Sequence, residues 1–260
     1  MLTEEQVNQF RTEGYVAVEG FWTAAEIAAI RAELDRLKAE GKLANVATDG
    51  DGKTTSTTAE NLQLCPLGPH SALFAAMPFS EKAARAVSQL IGAPNQLHLD
   101  QVFLKPGRKG AGTSWHQDND YFRIRDATRG TALWTAVHDA TRANGTLRVI
   151  PRAFGEVLPH SRDPNSNHHV RCWPDEEKAI DVEIAAGGVV FFNYNVPHAT
   201  GPNATDHERA GVALHYMHRE EAPHAEKGYV ARGMEMPVAE ADGSLSRPDL
   251  DARWRELTAG

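Results

Sequence analysis

The hydrophobic pattern changes character near residue 96: before it apolar positions recur at helical spacing, and after it they come in short β-branched and aromatic runs. Thr3-Glu4-Glu5-Gln6 reads as a capping box, in which the Thr hydroxyl and the Gln amide each satisfy an otherwise free backbone N–H. It predicts a short helix from Gln6 to about Thr12, ended by Gly14. Tyr15-Val16-Ala17-Val18 predicts a strand that Gly20 closes. Thr23-Ala24-Ala25-Glu26 is a second capping box, opening a longer helix whose Ile27, Ile30, Leu34 and Leu37 form a stripe read as core packing. Lys42 to Thr58 is rich in Gly, Asp and Thr without periodicity and reads as a mobile loop. Ser80 caps a third helix carrying Ala83, Ala84, Val87, Leu90 and Ile91, with Gly92 as its stop.

Beyond this, the runs Gln96 to Lys105, Thr131 to Asp139, Thr146 to Pro151, Val182 to Tyr194 and Ala210 to Met217 predict strands. Turn-formers separate them: Pro106-Gly107, Gly110-Ala111-Gly112, Asn144-Gly145, Gly187-Gly188 and Gly201-Pro202-Asn203. Many short strands with little helix between them predict an antiparallel sandwich or jelly roll. The expected architecture is mainly β, one domain over 1–260: a jelly-roll core over 96–220, a mostly helical flank over 1–95 and a C-terminal extension over 221–260. Phe154 to Lys178 is irregular and holds Pro159, Pro164 and Pro174. A loop of that length is a functional lid or an insert without fixed structure. Its His160, Arg162, His168, His169 and Arg171 could reach an anionic group or be simply solvated.

Composition narrows the classes. A chain of 260 residues with 41% hydrophobic and 24% charged residues can bury a sizeable core. A formal charge of −8 argues against nucleic-acid binding through bulk positive charge. No apolar run reaches the length of a membrane span, and Met1-Leu2-Thr3-Glu4-Glu5 lacks the basic start and apolar centre of a signal peptide. Cys65 and Cys172 read as free thiols, which suits a reducing cytoplasm. The expected setting is therefore cytoplasmic, with neither a membrane nor a nucleic-acid partner.

Candidate chemistry centres on Trp115-His116-Gln117-Asp118-Asn119-Asp120-Tyr121. On an extended segment a His and an Asp two apart point to the same side. His198, far downstream, could add a third ligand. Two imidazoles and a carboxylate on one face of a metal are the ligand set of non-haem Fe(II) oxygenases, although zinc accepts the same donors. The pattern alone is weak, because His98-Leu99-Asp100 repeats it, and His218-Arg219-Glu220 and His224-Ala225-Glu226 carry its Glu form without a later His to complete a triad. Context favours His116 and Asp118. His98 and Asp100 would share a strand face with Val102 and Leu104, opposite Gln101, Phe103 and Lys105, so they point away from any ligand that Lys105 faces. For each His taken singly, a buried structural role stays open.

At these residues the sequence resembles the phytanoyl-CoA dioxygenase (PhyH) family. The resemblance covers most of the chain: the Thr-Glu-Glu-Gln opening, Gly14-Tyr15-Val16, Lys105-Pro106-Gly107, Trp115-His116-Gln117-Asp118, Trp134-Thr135-Ala136, Asn144-Gly145-Thr146-Leu147-Arg148-Val149-Ile150-Pro151, and His198-Ala199-Thr200-Gly201-Pro202-Asn203 with Arg209. Its most specific part is the arginine eleven positions after the distal histidine. The resemblance implies a double-stranded β-helix and an Fe(II)- and 2-oxoglutarate-dependent dioxygenase that consumes O2 and releases succinate and CO2. By the same carry-over His116, Asp118 and His198 would hold the iron. Arg209 would pair with the C5 carboxylate of 2-oxoglutarate, helped by Thr200, with Lys105 and Trp134 lining that pocket. Arg152-Ala153-Phe154 departs from the family's Gly-Ser-His, and Gly187-Gly188 from its Gly-Asp. The first departure weakens inference about the substrate. Related halogenases lack the carboxylate, so Asp118 argues for hydroxylation or desaturation.

Gln101, Phe103, Asn119 and Tyr121 are the substrate-side candidates, each with ordinary packing as its alternative. Arg108, Lys109, Arg123, Arg125, Arg152 and Arg162 would suit an anionic small molecule, or form a solvated basic rim. Two other functions stand beside the oxygenase: a zinc-dependent jelly-roll isomerase or hydrolase, which would have no need of Arg209, and a non-catalytic ligand-binding jelly roll.

Overall fold

The computed structural model describes residues 1–221 and 236–259. In chain order the elements are α1 (Glu4–Glu13), β1 (Tyr15–Val18), α2 (Ala24–Ala39), β2 (Ala44–Asn45), β3 (Leu62–Leu64), α3 (Ala72–Ala76), α4 (Glu81–Ile91), β4 (Asn95–Lys105), β5 (Thr113–His116), α5 (Asn119–Phe122), β6 (Gly130–Ala136) and β7 (Leu147–Val149). There follow β8 (Ser161–Arg162), β9 (Val170–Arg171), β10 (Ile180–Val182), β11 (Val189–Asn193), β12 (His198–Thr200), β13 (Arg209–His218), β14 (Met236–Ala239) and α6 (Pro248–Thr258). Both capping boxes form, at Thr3 with Gln6 and at Thr23 with Glu26, and α1 ends on Gly14 in the left-handed conformation.

The strands build a mainly β, antiparallel jelly roll with the helices on its outside. The larger sheet runs β1-β11-β6-β13-β4-β3-β2, with β14 also on β4, and the smaller runs β10-β7-β12-β5. Period-two alternation divides the larger sheet. Val102, Leu104, Val212, Leu214, Leu133 and Phe191 face the helices and join the stripe of α2 in one buried core. Ala132, Trp134, Val190, Phe192 and Ala213 face inward and meet Leu147 and Val149 of the smaller sheet. The hydrophobic burial on both faces drives the two layers together and leaves a cleft between the sheets.

Several expectations change. The run Val182 to Tyr194 is two strands, β10 and β11, because Gly187 takes φ +90° and turns the chain between them. Lys42 to Thr58 is no free loop: β2 pairs with β3, Asn45 bonds Ser56 and Ala59, and Thr48 bonds Pro164 and Asn165. Phe154 to Lys178 carries the hairpin β8–β9. The pairing of β13 with β4 slips by one residue between His215 and Tyr216, so His98 is the extra residue of a β-bulge. The bulge breaks the alternation assumed for that strand. Asp100 does point away from the cleft, accepting from the Leu67 and Gly68 backbone N–H groups. His98 instead turns to the cleft side, against the Phe122 ring at 4.8 Å.

His224 and Glu226 lie outside the described residues. Cys65 and Cys172 are free thiols. No helix among the described residues is long and apolar enough to cross a membrane.

Candidate metal centre

β5 ends at His116, whose cross-strand partner on β12 is His198, so the two imidazoles start from paired positions. Gln117 leaves the strand, and Asp118 takes helical angles (φ −58°, ψ −30°) at the head of α5. That turn swings its carboxylate back over the strand end. The two residues thus converge through a strand end and a turn, not through the shared strand face expected from their spacing. Asp118 Oδ1 lies 3.7 Å from His116 Nε2 and 3.6 Å from His198 Nε2. One ligand atom from each of the three lies within 4.8 Å of the others.

The backbone fixes what these groups present. His116 Nδ1 lies 2.8 Å from the Ser114 carbonyl and His198 Nδ1 3.0 Å from that of Val196. A carbonyl oxygen only accepts, so each Nδ1 carries the proton and each Nε2 turns a lone pair toward Asp118. Burial reinforces this: it lowers His116 to about 4 and holds His198 well below the ordinary imidazole range, so both rings are neutral. Burial also pushes the Asp118 carboxyl up to about 8. Two imidazole lone pairs converge on a carboxyl whose ionised form burial disfavours, and Asp118 Oδ2 has no hydrogen-bond partner. A divalent cation fits that donor set, and its charge would offset the cost of the buried carboxylate.

The cleft beside this cluster is a cavity of about 390 Å³. Gln101, Phe103 and Tyr121 line it, together with Leu99, His168 and His169. Asn119 does not: its side chain accepts from Ile124 N–H and donates to Ile124 carbonyl, closing the turn after α5. Gln63 and His215 also line the cavity and were not singled out from sequence. A signal for His215 existed, because Arg209, Gly211, Ala213 and His215 alternate along β13 on one face. Gln63 had none, since β3 is too short to show a period.

Behind Thr200 and Trp134 of the cavity wall stand two buried cations. Arg209 and Lys105 are cross-strand partners, 1% and 0% exposed. Lys105 Nζ donates to Thr200 Oγ1 at 2.7 Å and to the Gly201 carbonyl at 2.5 Å. Arg209 donates to the Gly145 carbonyl, stacks over Trp134 at 5.6 Å and leaves its Nε–H without a partner. The two carbonyls come together because Gly145 (φ +80°) meets Gly201 so closely that a Cβ on Gly145 would fall 2.1 Å from the Gly201 oxygen. Burial pulls Arg209 down to about 10 and holds Lys105 well below the ordinary lysine range, Arg209 adding repulsion. Neither cation has a carboxylate partner among the described residues. Thr200 and Trp134 line the cavity between this pair and the His–Asp–His cluster.

Loop 154–178 roofs the cavity and is tied down at several points. Gln117, fully buried, donates to the Glu156 and Asn195 carbonyls at 2.7 Å each and accepts from Leu158 N–H at 2.8 Å. His160 Nε2 accepts from Gln117 N–H, and Val170 N–H donates to the Tyr121 hydroxyl. Gln117→Ala removes three of these bonds, each worth about 1 kcal/mol net. It is expected to speed amide exchange at residues 156–160 by at least about tenfold, on 1.4 kcal/mol per decade. Exchange rates equal to wild type would show that the roof is held elsewhere.

The basic residues noted in the sequence lie outside the cavity lining. Arg108 pairs with Asp206, Arg152 with Glu13 and Arg125 with Glu221.

A jelly roll carrying a buried His–Asp–His cluster suits a non-haem iron site, and the family match places this protein among the Fe(II)- and 2-oxoglutarate-dependent dioxygenases. The chain belongs to the phytanoyl-CoA dioxygenase (PhyH) family, whose profile matches residues 10–211. It is similar to the ectoine dioxygenase of Stutzerimonas stutzeri, 25% identical over 245 residues that cover 86% of this chain and 80% of the relative. Among solved structures it resembles EctD from S. alaskensis with 2-oxoglutarate and 5-hydroxyectoine, with a TM-score of 0.69, 22% identity, and 90% and 85% of the two chains covered. It also resembles the epimerase SnoN in complex with Fe3+, alpha ketoglutarate and nogalamycin RO, with a TM-score of 0.69, 21% identity and 83% of each chain covered.

Proposed function

We propose that the protein hydroxylates a small-molecule substrate, with His116, Asp118 and His198 as the iron ligands. Iron with 2-oxoglutarate supplies the oxygen-activating chemistry; the chain binds, orients and excludes water. Arg209 is the partner of the 2-oxoglutarate C5 carboxylate, with Lys105 and Thr200 beside it and Trp134 as the wall. The observation that carries this reading is a buried cation pair without a carboxylate, in contact with Thr200 and Trp134 of the cavity wall that the His–Asp–His cluster shares. A guanidinium with a free N–H matches a carboxylate in plane. A zinc hydrolase has no use for such a pair, and a passive binding protein has none for the cluster.

Gln101, Phe103 and Tyr121 are the substrate-side residues, a role supported by their place in the cavity lining. Support for an anionic substrate is divided: Arg108, Arg125 and Arg152 are turned to acidic partners outside the cavity, while His168 and His169 line it. Hydroxylation is the simplest outcome for a set with its carboxylate intact. A cytoplasmic setting and action on a free small molecule, not on a nucleic acid or membrane, complete the proposal.

The test is succinate formation from 2-oxoglutarate under air with Fe(II) and ascorbate. Slow turnover is expected without any prime substrate, rising on addition of the right one. Catalysis that requires zinc and leaves 2-oxoglutarate untouched would sink the reading.

A further inference from the structure

Asp118 Oδ2 and His215 Nδ1 are both buried, both without a hydrogen-bond partner, and 3.5 Å apart. Nothing in the metal set accounts for His215. It stands on β13 opposite Leu99, 3% exposed, with its ring held between Phe122 at 5.2 Å and Tyr194 at 6.1 Å. Its other nitrogen, Nε2, lies 3.2 Å from Gln101 Nε2, and Gln101 Oε1 accepts from Gln63 Nε2 at 2.9 Å. Four side chains from β3, β4, β13 and the head of α5 therefore form one line, from the cavity wall to the back of the Asp118 carboxylate.

We propose that His215 is a positioning residue that holds Asp118 with Oδ1 toward the metal, and that Gln63 and Gln101 hold His215 in the tautomer this requires. The proposal rests on the reading of His116, Asp118 and His198 as the metal set. Its direction follows from the carboxylate outward. A metal-bound Asp118 is ionised and only accepts, so His215 Nδ1 must carry the proton. Nε2 then has a lone pair and needs a donor, which the Gln101 amide N–H2 supplies. That orientation turns Gln101 Oε1 to Gln63, whose N–H2 donates to it. Every link has a donor facing an acceptor. The reverse tautomer would set the Nδ1 lone pair against the carboxylate. Oδ1 lies nearest the two imidazoles of the set and Oδ2 nearest His215, so the bond would hold the carboxylate in that orientation.

Mn(II) binding to the metal-stripped full-length protein, followed by the EPR signal of free Mn(II), tests this without turnover. His215→Phe keeps a ring between Phe122 and Tyr194 but has no donor. It is expected to bind Mn(II) about 10–100-fold more weakly, the usual effect of losing a partner behind a metal ligand. His215→Asn keeps an N–H2 near the Nδ1 position and is expected to recover most of that loss, within about threefold of wild type. A purely structural role would lower the thermal midpoint of the metal-free protein without this split between Phe and Asn. The tautomer can also be read in the wild type, so the proposal survives a variant that fails to fold. Imidazole nitrogen NMR of the Zn(II)-loaded protein should show His215 protonated at Nδ1. Equal Mn(II) affinity for wild type and His215→Phe, an Asn variant as weak as the Phe variant, or a proton on Nε2 overturns the relay alone. Wild type binding no better than His116→Ala overturns the metal set and the relay with it.

Discussion

His116→Ala is expected to cut succinate formation from 2-oxoglutarate by about a thousandfold or more, because the reaction's chemistry resides in the cofactor and not in the chain. The substitution leaves Asp118 and His198, 3.6 Å apart, as two of the three proposed ligands. It should do so without unfolding the protein. His116 is the last residue of β5, its side chain contributes one hydrogen bond, to the Ser114 carbonyl, and its ring packs against His198 at 4.2 Å and Tyr121 at 5.8 Å. The thermal midpoint of the metal-free variant should fall by no more than a few degrees, as for a loss of about 1 kcal/mol. The informative control is His98→Ala, since His98-Leu99-Asp100 spells the same tripeptide pattern. His98 bonds to nothing with either nitrogen, and Asp100 is spent on the Leu67 and Gly68 backbone on the far side of the sheet. His98→Ala should retain Fe(II) affinity within about threefold of wild type, because neither residue of that pair joins the cluster. Turnover that survives in His116→Ala, or Fe(II) binding lost in His98→Ala, would move the metal to the other pair.

The contrast between those two tripeptides shows where sequence reading carries and where it stops. Period-two alternation is reliable while a strand stays in register, and it places Gln101, Phe103 and Lys105 on one face with Asp100, Val102 and Leu104 on the other. It fails at His98, because a bulge is set by the pairing of two strands and leaves no mark on one of them. It fails again at Asp118, where the chain has already left β5 and the carboxylate is aimed by backbone angles of a turn. The helices were legible because capping is local: Thr3 with Gln6 and Thr23 with Glu26 satisfy one another within one turn. Loop anchoring is the opposite case. Thr48 with Pro164, Asn167 with Val46 and Gln117 with Leu158 join segments far apart in sequence through single hydrogen bonds. A Gly- and Asp-rich composition alone therefore reads as mobility. The relay from Gln63 to Asp118 belongs with these, since its members come from four separate elements.

Arg209→Met should raise the 2-oxoglutarate KM by about 100-fold or more while barely moving the stability of the unliganded protein. A guanidinium paired with a carboxylate makes two charge-assisted bonds of about 1.5–3 kcal/mol each, and 1.4 kcal/mol is one decade. The stability side of the prediction follows from burial. Arg209 and Lys105 face each other as strand partners with no acidic partner among the described residues, and burial already pulls Arg209 down to about 10. Removing one of two buried like charges relieves repulsion, which offsets the lost bond to the Gly145 carbonyl. Lys105→Met should behave similarly but more mildly, because Lys105 also donates to Thr200 and Gly201 and its ammonium cannot grip a carboxylate in plane. Arg209→Lys keeps the charge and loses the fork, so it should recover only part of the affinity. Thermal shift separates binding from folding: 2-oxoglutarate at about 100 times its Kd stabilises wild type by about 2.7 kcal/mol and should leave Arg209→Met unmoved at that concentration. A KM unchanged in Arg209→Met, or a midpoint lowered by tens of degrees, would mean that this cation pair braces the two sheets and that the cosubstrate carboxylate is held elsewhere.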